Sequence, residues 1–139
     1  MKLWPLLILL VIGLCGCSGG SSRDGTEATA RAFFDAEFQK WMAGQETQVS
    51  TMKSRIGNLK NPISYDIRSV VHDQPDMLAI AEDYNQHGEP SDNDGEWTAW
   101  KFNVAIEWES QAGTPIEKVT IYTLTWNPRA RKWHVNERH

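Results

Sequence analysis

The sequence predicts an α+β domain, in which N-terminal helices pack on a curved antiparallel β-meander of four to five strands. Residues 26–43 carry apolar side chains at helical spacing. After Pro62 the apolar spacing changes to two, and further runs of period two fill the last third of the chain. Helices that precede a series of consecutive strands indicate an antiparallel sheet whose apolar face is covered by a helix.

The chain begins with the three parts of a secretory signal. Lys2 supplies a positive charge, Leu3 to Leu14 form an apolar segment, and Gly16 is a small residue of the kind that precedes a cleavage site. A membrane-spanning helix needs about 20 apolar residues, so this segment is too short to serve as one. We therefore expect residues 1–16 to be a signal peptide.

Leu14-Cys15-Gly16-Cys17 resembles the lipobox of bacterial lipoproteins, although Cys15 departs from the usual small aliphatic or hydroxyl residue. The resemblance implies cleavage before Cys17, a thioether-linked diacylglycerol on that cysteine and an acyl chain on its amine. Two acyl chains give stable membrane attachment. Because Ser18 follows the cysteine where an aspartate would retain a lipoprotein in the inner membrane, the resemblance favours an exported protein anchored in the outer membrane.

Composition predicts a flexible linker and then one domain. Residues 17–25 hold the lipidated cysteine and a Gly/Ser-rich tether, of which Ser18 to Gly25 span at most about 27 Å. Residues 26–139 form the domain, which contains no cysteine and so no disulfide. The net charge of the whole chain is −4, and an acidic chain of this kind is not expected to bind nucleic acid.

Two helices are expected first. In the helix over 26–43, Asp24 and Glu27 form a capping box and Gly44 provides the C-cap. Its apolar stripe is made of Ala30, Phe34, Phe38, Trp41 and Met42. A shorter helix follows, with Thr47 as its N-cap and Gly57 at its end.

The middle of the chain is less uniform. A strand runs from Ile63 to the turn at residues 74–76. Met77 to Tyr84 fit a hairpin partner strand best, while the Ala-rich composition also permits a helix capped by Asp76. Residues 85–95 form a loop rich in Gly, Pro, Asp and Asn.

Three strands are expected at residues 99–108, 119–127 and 132–137. With the first turn centred on Gly113, Trp100 pairs with Trp126, and the next turn places Trp126 opposite Trp133. The same register pairs Phe102 with Leu124 and Leu124 with Val135. Trp100, Trp126 and Trp133 would then form one row across three strands.

A helix-rich start and Trp-rich terminal strands, ending in Lys132-Trp133-His134-Val135, resemble the NTF2-like members of the cystatin-like cone folds over residues 26–138. Concave sheets of that family often hold ligands, so Trp100, Trp126 and Trp133 are candidate ligand-binding residues. Packing against the first helix explains the row as well, and is the interpretation we favour. The fold itself assigns no function.

Other clusters of polar residues are weaker candidates. Asp66 and His72 are expected on one strand face but about 20 Å apart, too far for acid-base catalysis. The loop Asp92-Asn93-Asp94-Gly95 fails as a calcium loop, because Pro90 and Lys101 would stand at its first and last ligand positions. The basic residues Arg129, Arg131 and Lys132 suit a solvated turn better than contact with lipid phosphates.

The sequence therefore predicts a lipid-anchored, exported, non-catalytic domain that binds an unknown protein partner or small ligand near the membrane. No catalytic residue, metal ligand or cofactor site is expected. The alternatives are a small NTF2-like enzyme that uses a pocket carboxylate or histidine, and a structural component of the cell envelope. An open cavity with convergent polar groups between the first helix and the sheet would favour the enzyme.

Overall fold

A computed structural model describes residues 24–49 and 59–138, with side chains described from residue 62 onward in the second range. Within these residues the protein is α+β, with two helices and a four-stranded antiparallel sheet of order β1-β2-β3-β4. In chain order the elements are α1 (Glu27–Met42), β1 (Leu59–Asp73), α2 (Met77–His87), β2 (Thr98–Ser110), β3 (Ile116–Asn127) and β4 (Lys132–Arg138).

Helix α1 lies where the sequence predicts it, but its cap is different. The Thr29 amide donates to the Thr26 hydroxyl at 3.2 Å, so Thr26 is the N-cap. Asp24, the expected cap, instead forms an ion pair with Arg131 in the turn between β3 and β4. The predicted helix from Thr47 to Gly57 lies mostly outside the described residues, which end at Val49 in this part of the chain.

The core lies between α1 and one face of the sheet. Phe34 is completely buried, and its ring lies 5.0 Å from that of Phe102 and 5.2 Å from that of Tyr122. Full burial of one such side chain stabilises the fold by about 1.5–3 kcal/mol. The core also contains the large buried side chains Phe38 and Trp41 of α1 and, from the sheet, Val104, Ile106, Trp108, Leu124, Trp126 and Trp133.

A hydrogen bond ties α1 to β1. The Tyr65 hydroxyl donates to Asp35 Oδ1 at 2.6 Å, and the Tyr65 ring lies 4.1 Å from that of Phe38. Burial, and then the hydrogen bond to Asp35, raise the pKa of Tyr65 to about 12. Tyr65 therefore remains a hydrogen-bond donor well above neutral pH.

The register of the last two hairpins tests the predicted tryptophan row. Trp126 pairs with Trp133 and Leu124 with Val135, as predicted. Between β2 and β3, however, Trp100 pairs with Leu124, two residues away from the predicted partner. A slip of two preserves which face each side chain occupies, so the predicted core face is correct although the individual β2–β3 pairs are wrong.

Strand β1 changes face at a bulge. Ile67 pairs with Val104 and Ser69 with Asn103, which leaves Arg68 as an extra residue. Asp66 and His72 therefore lie on opposite faces of the sheet, and the prediction that they share one face is wrong. The side chain of the extra residue, Arg68, extends across β2 and forms an ion pair of 2.8 Å with Glu117 on β3.

Residues 77–87 form α2, so the preferred interpretation of Met77 to Tyr84 as a strand is wrong and the helical alternative is correct. The Asp76 side chain caps α2 by accepting from the Leu78 amide at 2.9 Å. The Asp76 amide in turn donates to the Thr125 hydroxyl at 3.0 Å. Since Thr125 alternates with the buried Leu124 and Trp126, α2 lies on the face of the sheet opposite to α1.

Gly25 belongs to the folded domain, whereas the Gly/Ser-rich composition of residues 17–25 predicts that it is part of the linker. Its carbonyl accepts hydrogen bonds from the Thr98 hydroxyl at 2.7 Å and from Trp100 Nε1 at 2.9 Å. Its φ of +82° is in the left-handed region that favours glycine. A Cβ at this position would lie 2.6 Å from Thr98 Oγ1 and 2.7 Å from the Trp126 ring.

We expect Gly25→Ala to reduce the free energy of unfolding more than Gly113→Ala does. Both glycines have a φ of +82°, but a Cβ at Gly113 meets nothing within 4 Å. Gly113→Ala therefore isolates the backbone strain, about 1–2 kcal/mol, and Gly25→Ala adds an overpacking cost of about 1–3 kcal/mol. Urea unfolding of both variants measures the difference, and equal losses would contradict the docking of Gly25.

Candidate functional site

Two of the three candidate tryptophans, Trp126 and Trp133, belong to the core, and Trp100 packs against it. Trp126 and Trp133 face each other with ring centroids 5.2 Å apart and are only 9% and 6% exposed. Phe33 of α1 closes over Trp133 at 6.3 Å. Trp100 is half-buried and lies two residues along β2 from Thr98, the residue opposite Trp126. Its indole nitrogen donates to the Gly25 carbonyl oxygen.

The space between α1 and the sheet is occupied by aromatic and aliphatic side chains. Phe34, Phe38, Phe102, Tyr122 and Leu124 are all completely buried there. Burial, and then the negative charge of Glu137, raise the pKa of Tyr122 far above its ordinary value. The described residues of this interior therefore form a packed core, in which the tryptophan row has a structural role.

Polar groups converge on the other face of the sheet, between α2 and the β3–β4 hairpin. A groove of about 240 Å³ opens here. It is lined by Ala79, Glu82, Asp83, Gln86, His87, Asn127, Ala130, Lys132 and His134. We take this groove as the candidate functional site.

Asp83 is the centre of the site, because it is a carboxylate buried within the protein. Its side chain is 6% exposed, and Asn127 Nδ2 donates to its Oδ1 at 2.9 Å. Arg129 Nε lies 3.5 Å from Oδ2. A buried carboxylate requires such partners, since an unpaired one loses its hydration without compensation.

Asn127 connects this carboxylate to the hairpin. Its side-chain oxygen accepts from the amides of Arg129 at 3.0 Å and Ala130 at 2.9 Å, which fixes the turn after β3. Its amide nitrogen is thereby directed at Asp83. Asn127 and Asp83 together hold α2 against the hairpin.

His87 completes an acid-base pair with Asp83. His87 Nδ1 lies 3.1 Å from Asp83 Oδ1, one helical turn away, and the imidazole is 48% exposed at the groove. When Nδ1 carries a proton, it donates to the Asp83 carboxylate, which can only accept. The arrangement has the two components that general acid-base chemistry requires.

A second histidine pairs with the other end of α2. His134 Nε2 on β4 lies 3.5 Å from Asp76 Oδ2, and Asn136 Nδ2 lies 3.4 Å from the same oxygen. In residues 24–49 and 59–138, no set of three or more His, Cys, Asp or Glu side chains has the geometry of a metal site.

The sequence did not predict the pair of Asp83 and His87. The two residues are four apart in sequence, so their side chains are neighbours on a helix. On an extended strand they would be about 13 Å apart. Because Met77 to Tyr84 were interpreted as a strand and residues 85–95 as a loop, the pair was separated. Asp76 followed by a segment of helix-forming Ala was the signal that indicated otherwise.

The basic turn after β3 is neutralised by neighbouring carboxylates. Arg129 Nε lies 3.5 Å from both Asp83 and Asp94, and Arg131 pairs with Asp24. Asp94 also accepts from the Ser91 amide at 2.6 Å, so it stabilises its own loop. These contacts favour the interpretation of Arg129 and Arg131 as structural residues of the turn.

We expect Asp83→Ala to lower the free energy of unfolding by about 1–3 kcal/mol, because it leaves Asn127 and Arg129 without their buried partner. Glu82→Ala is the matched control on the same helix, with an exposed carboxylate and an expected change within about 0.5 kcal/mol. Urea unfolding distinguishes the two. Similar losses for both variants would show that Asp83 does not hold α2 in place.

Cys17, the predicted signal peptide and most of the predicted linker lie outside the described residues. In the part of the chain that is described, neither helix has the length and apolar character needed to cross a bilayer. Comparisons with family models, with curated proteins and with solved structures give no match for this chain.

Proposed function

We propose that this chain is an exported lipoprotein, anchored through a lipid on Cys17, whose domain is a non-catalytic binding module close to a membrane surface. The motif Leu14-Cys15-Gly16-Cys17, which follows an apolar segment, is the sequence feature that supports export and lipid attachment. Ser18 favours the outer membrane, on its periplasmic or surface side. The chain would need no cofactor and would bind a protein or small ligand reachable from the bilayer.

The docking of Gly25 is the observation that carries the proposal about position. Folded structure begins at or before Asp24, whose carboxylate pairs with Arg131. The tether between Cys17 and the domain is then at most Ser18 to Arg23, about 20 Å when fully extended. The end of the domain that contains Asp24 and the β3–β4 turn therefore faces the bilayer.

The proposed fold family is the NTF2-like or cystatin-like cone. A 16-residue helix packs its aromatic side chains on one face of a four-stranded antiparallel meander, which is consistent with that family. Phe34, Phe38, Phe102, Tyr122 and Leu124 are completely buried between α1 and the sheet, which favours binding outside this part of the interior. Binding is therefore proposed for the outer surface.

We expect Cys17→Ala to abolish incorporation of an alkynyl palmitate probe into this protein in growing bacteria, because the variant has no thiol at the position of lipid attachment. Cys15→Ala is the matched control and should keep the label. In-gel detection of the clicked probe on the immunoprecipitated chain measures both. Retained labelling of Cys17→Ala would refute the lipoprotein assignment.

The second candidate function is an enzyme that uses Asp83 and His87. The contact of 3.1 Å between the two side chains, at the edge of a groove, favours it. The proposal of a binding module is preferred because Asp83 is already committed to Asn127 and Arg129. In that position its main effect is to hold α2.

Hydrolysis assays separate the two candidates. With p-nitrophenyl acetate and p-nitrophenyl phosphate, we expect the domain and its His87→Gln variant to have the same rate, since no catalytic role is assigned to the imidazole. His72→Gln removes an exposed imidazole elsewhere on the sheet and corrects for non-specific imidazole reactivity. A tenfold or greater loss of rate in His87→Gln alone would support the enzyme instead.

A further inference from the structure

Helix α2 carries three of its four large apolar side chains on the solvent side, while the fourth, Ile80, is half-buried. Met77 is 72% exposed, Leu78 is 78% exposed and Tyr84 is 48% exposed. The residues that α2 buries are Ala79 and Asp83. This is the reverse of an ordinary surface helix, whose apolar stripe faces the core.

The exposed side chains form a continuous stripe. Met77, Ala81 and Tyr84 stand at positions i, i+4 and i+7, which lie on one side of a helix, and Leu78 is adjacent. Ala81 is also exposed. We name Met77, Leu78, Ala81 and Tyr84 the α2 stripe. An amphipathic helix recognised in a groove presents anchors at this spacing.

The fold does not need the α2 stripe. The sheet-facing side of α2 is held by polar contacts, from Asp76 to Thr125 and from Asp83 to Asn127. These contacts would remain if the outward side chains were polar. Exposed apolar side chains that lie outside the core cluster and are grouped on one surface indicate an interaction site.

The charge around the α2 stripe indicates which kind of partner could bind to it. Helix α2 and the loop after it, residues 77–97, contain no Lys or Arg, whereas the exposed side chains of this segment include Glu82, Glu89, Asp92 and Glu96. An anionic lipid surface attracts basic segments rather than acidic ones. A second copy of the chain is disfavoured by charge, because a two-fold interface through α2 would set the same acidic surface against itself.

We propose that the α2 stripe is the docking surface for a different protein, whose binding site is an apolar groove with a basic rim. Met77, Leu78 and Tyr84 are the anchors that enter the groove, and Glu82 faces its rim. The proposal rests on the proposed function, since it names the surface and partner chemistry of the binding module. Its failure is separable, because lipid labelling of Cys17 does not depend on α2.

The test is site-specific photo-crosslinking in the full-length chain in bacteria, with p-benzoylphenylalanine at Leu78. We expect one discrete protein adduct from this position and none from the same probe at Ile63, which is 49% exposed on β1. The adduct partner is then purified, and its dissociation constant for the domain is measured by calorimetry.

Two pairs of variants decide the result. Met77→Ser should weaken the measured affinity at least fivefold, while Val119→Ser, at a position 51% exposed on β3, should leave it unchanged. Glu82→Lys should weaken the affinity at least threefold at low salt, and the exposed Glu109 supplies the control, Glu109→Lys. Because all four side chains are exposed, these substitutions are expected to preserve the fold.

The proposal is overturned by an adduct made of two copies of this chain, by adducts with lipid alone, or by the absence of an adduct from Leu78. Equal affinities of Met77→Ser and Val119→Ser would also overturn it. If Cys17 is not labelled with lipid while the crosslinking and affinity results are as expected, the proposed membrane attachment is wrong. The proposal that the α2 stripe is a docking surface then still stands.

Discussion

The packing of Phe34 between Phe102 and Tyr122 is the contact on which the rest of the fold depends. It fixes α1 over the face of the sheet that carries the largest side chains, and so gathers the large buried side chains of the described residues in one interface. The other face carries mainly polar side chains, of which Thr125 and Asn127 are buried, as are the small Ala99 and Ala105. A helix that covers such a face must bring polar groups to it.

This division explains the unusual character of α2. Asp76 and Asp83 satisfy the polar sheet face, and the apolar side chains of the helix remain on the outside. The pair of Asp83 and His87 is then first of all a structural contact, which also places an imidazole at a groove. The two faces of the sheet thus differ in character, one apolar and covered by α1, the other more polar and covered by α2.

The sequence predicts the elements whose patterns are regular. Helix α1 and the pairing of Trp126 with Trp133 follow from periodicity alone. The β2–β3 register was off by two, because the position of the turn around Gly113 is fixed by local geometry that side-chain alternation does not report. The bulge at Arg68 was not predicted, although the apolar spacing of two that holds up to Ile67 becomes three between Ile67 and Val70, as an inserted residue requires.

Helix α2 and its site were harder to predict because their pattern contradicts the usual rule. Burial of Asp83 and exposure of Leu78 give the segment no apolar stripe toward the core, and an inward stripe is the signal that sequence analysis uses. The composition of the Met77 to Tyr84 segment permitted a helix, but only the tertiary contacts with Asn127 and Thr125 select it.

The docking of Gly25 also orders events during folding. Its carbonyl is held by β2, and its neighbour Asp24 pairs with Arg131, which is 107 residues further along the chain. Contacts between segments so distant form late, because a long loop must close first. The ion pair of Asp24 with Arg131 therefore cannot form until the β3–β4 hairpin is available, so the start of the domain acquires its full set of contacts only late in folding.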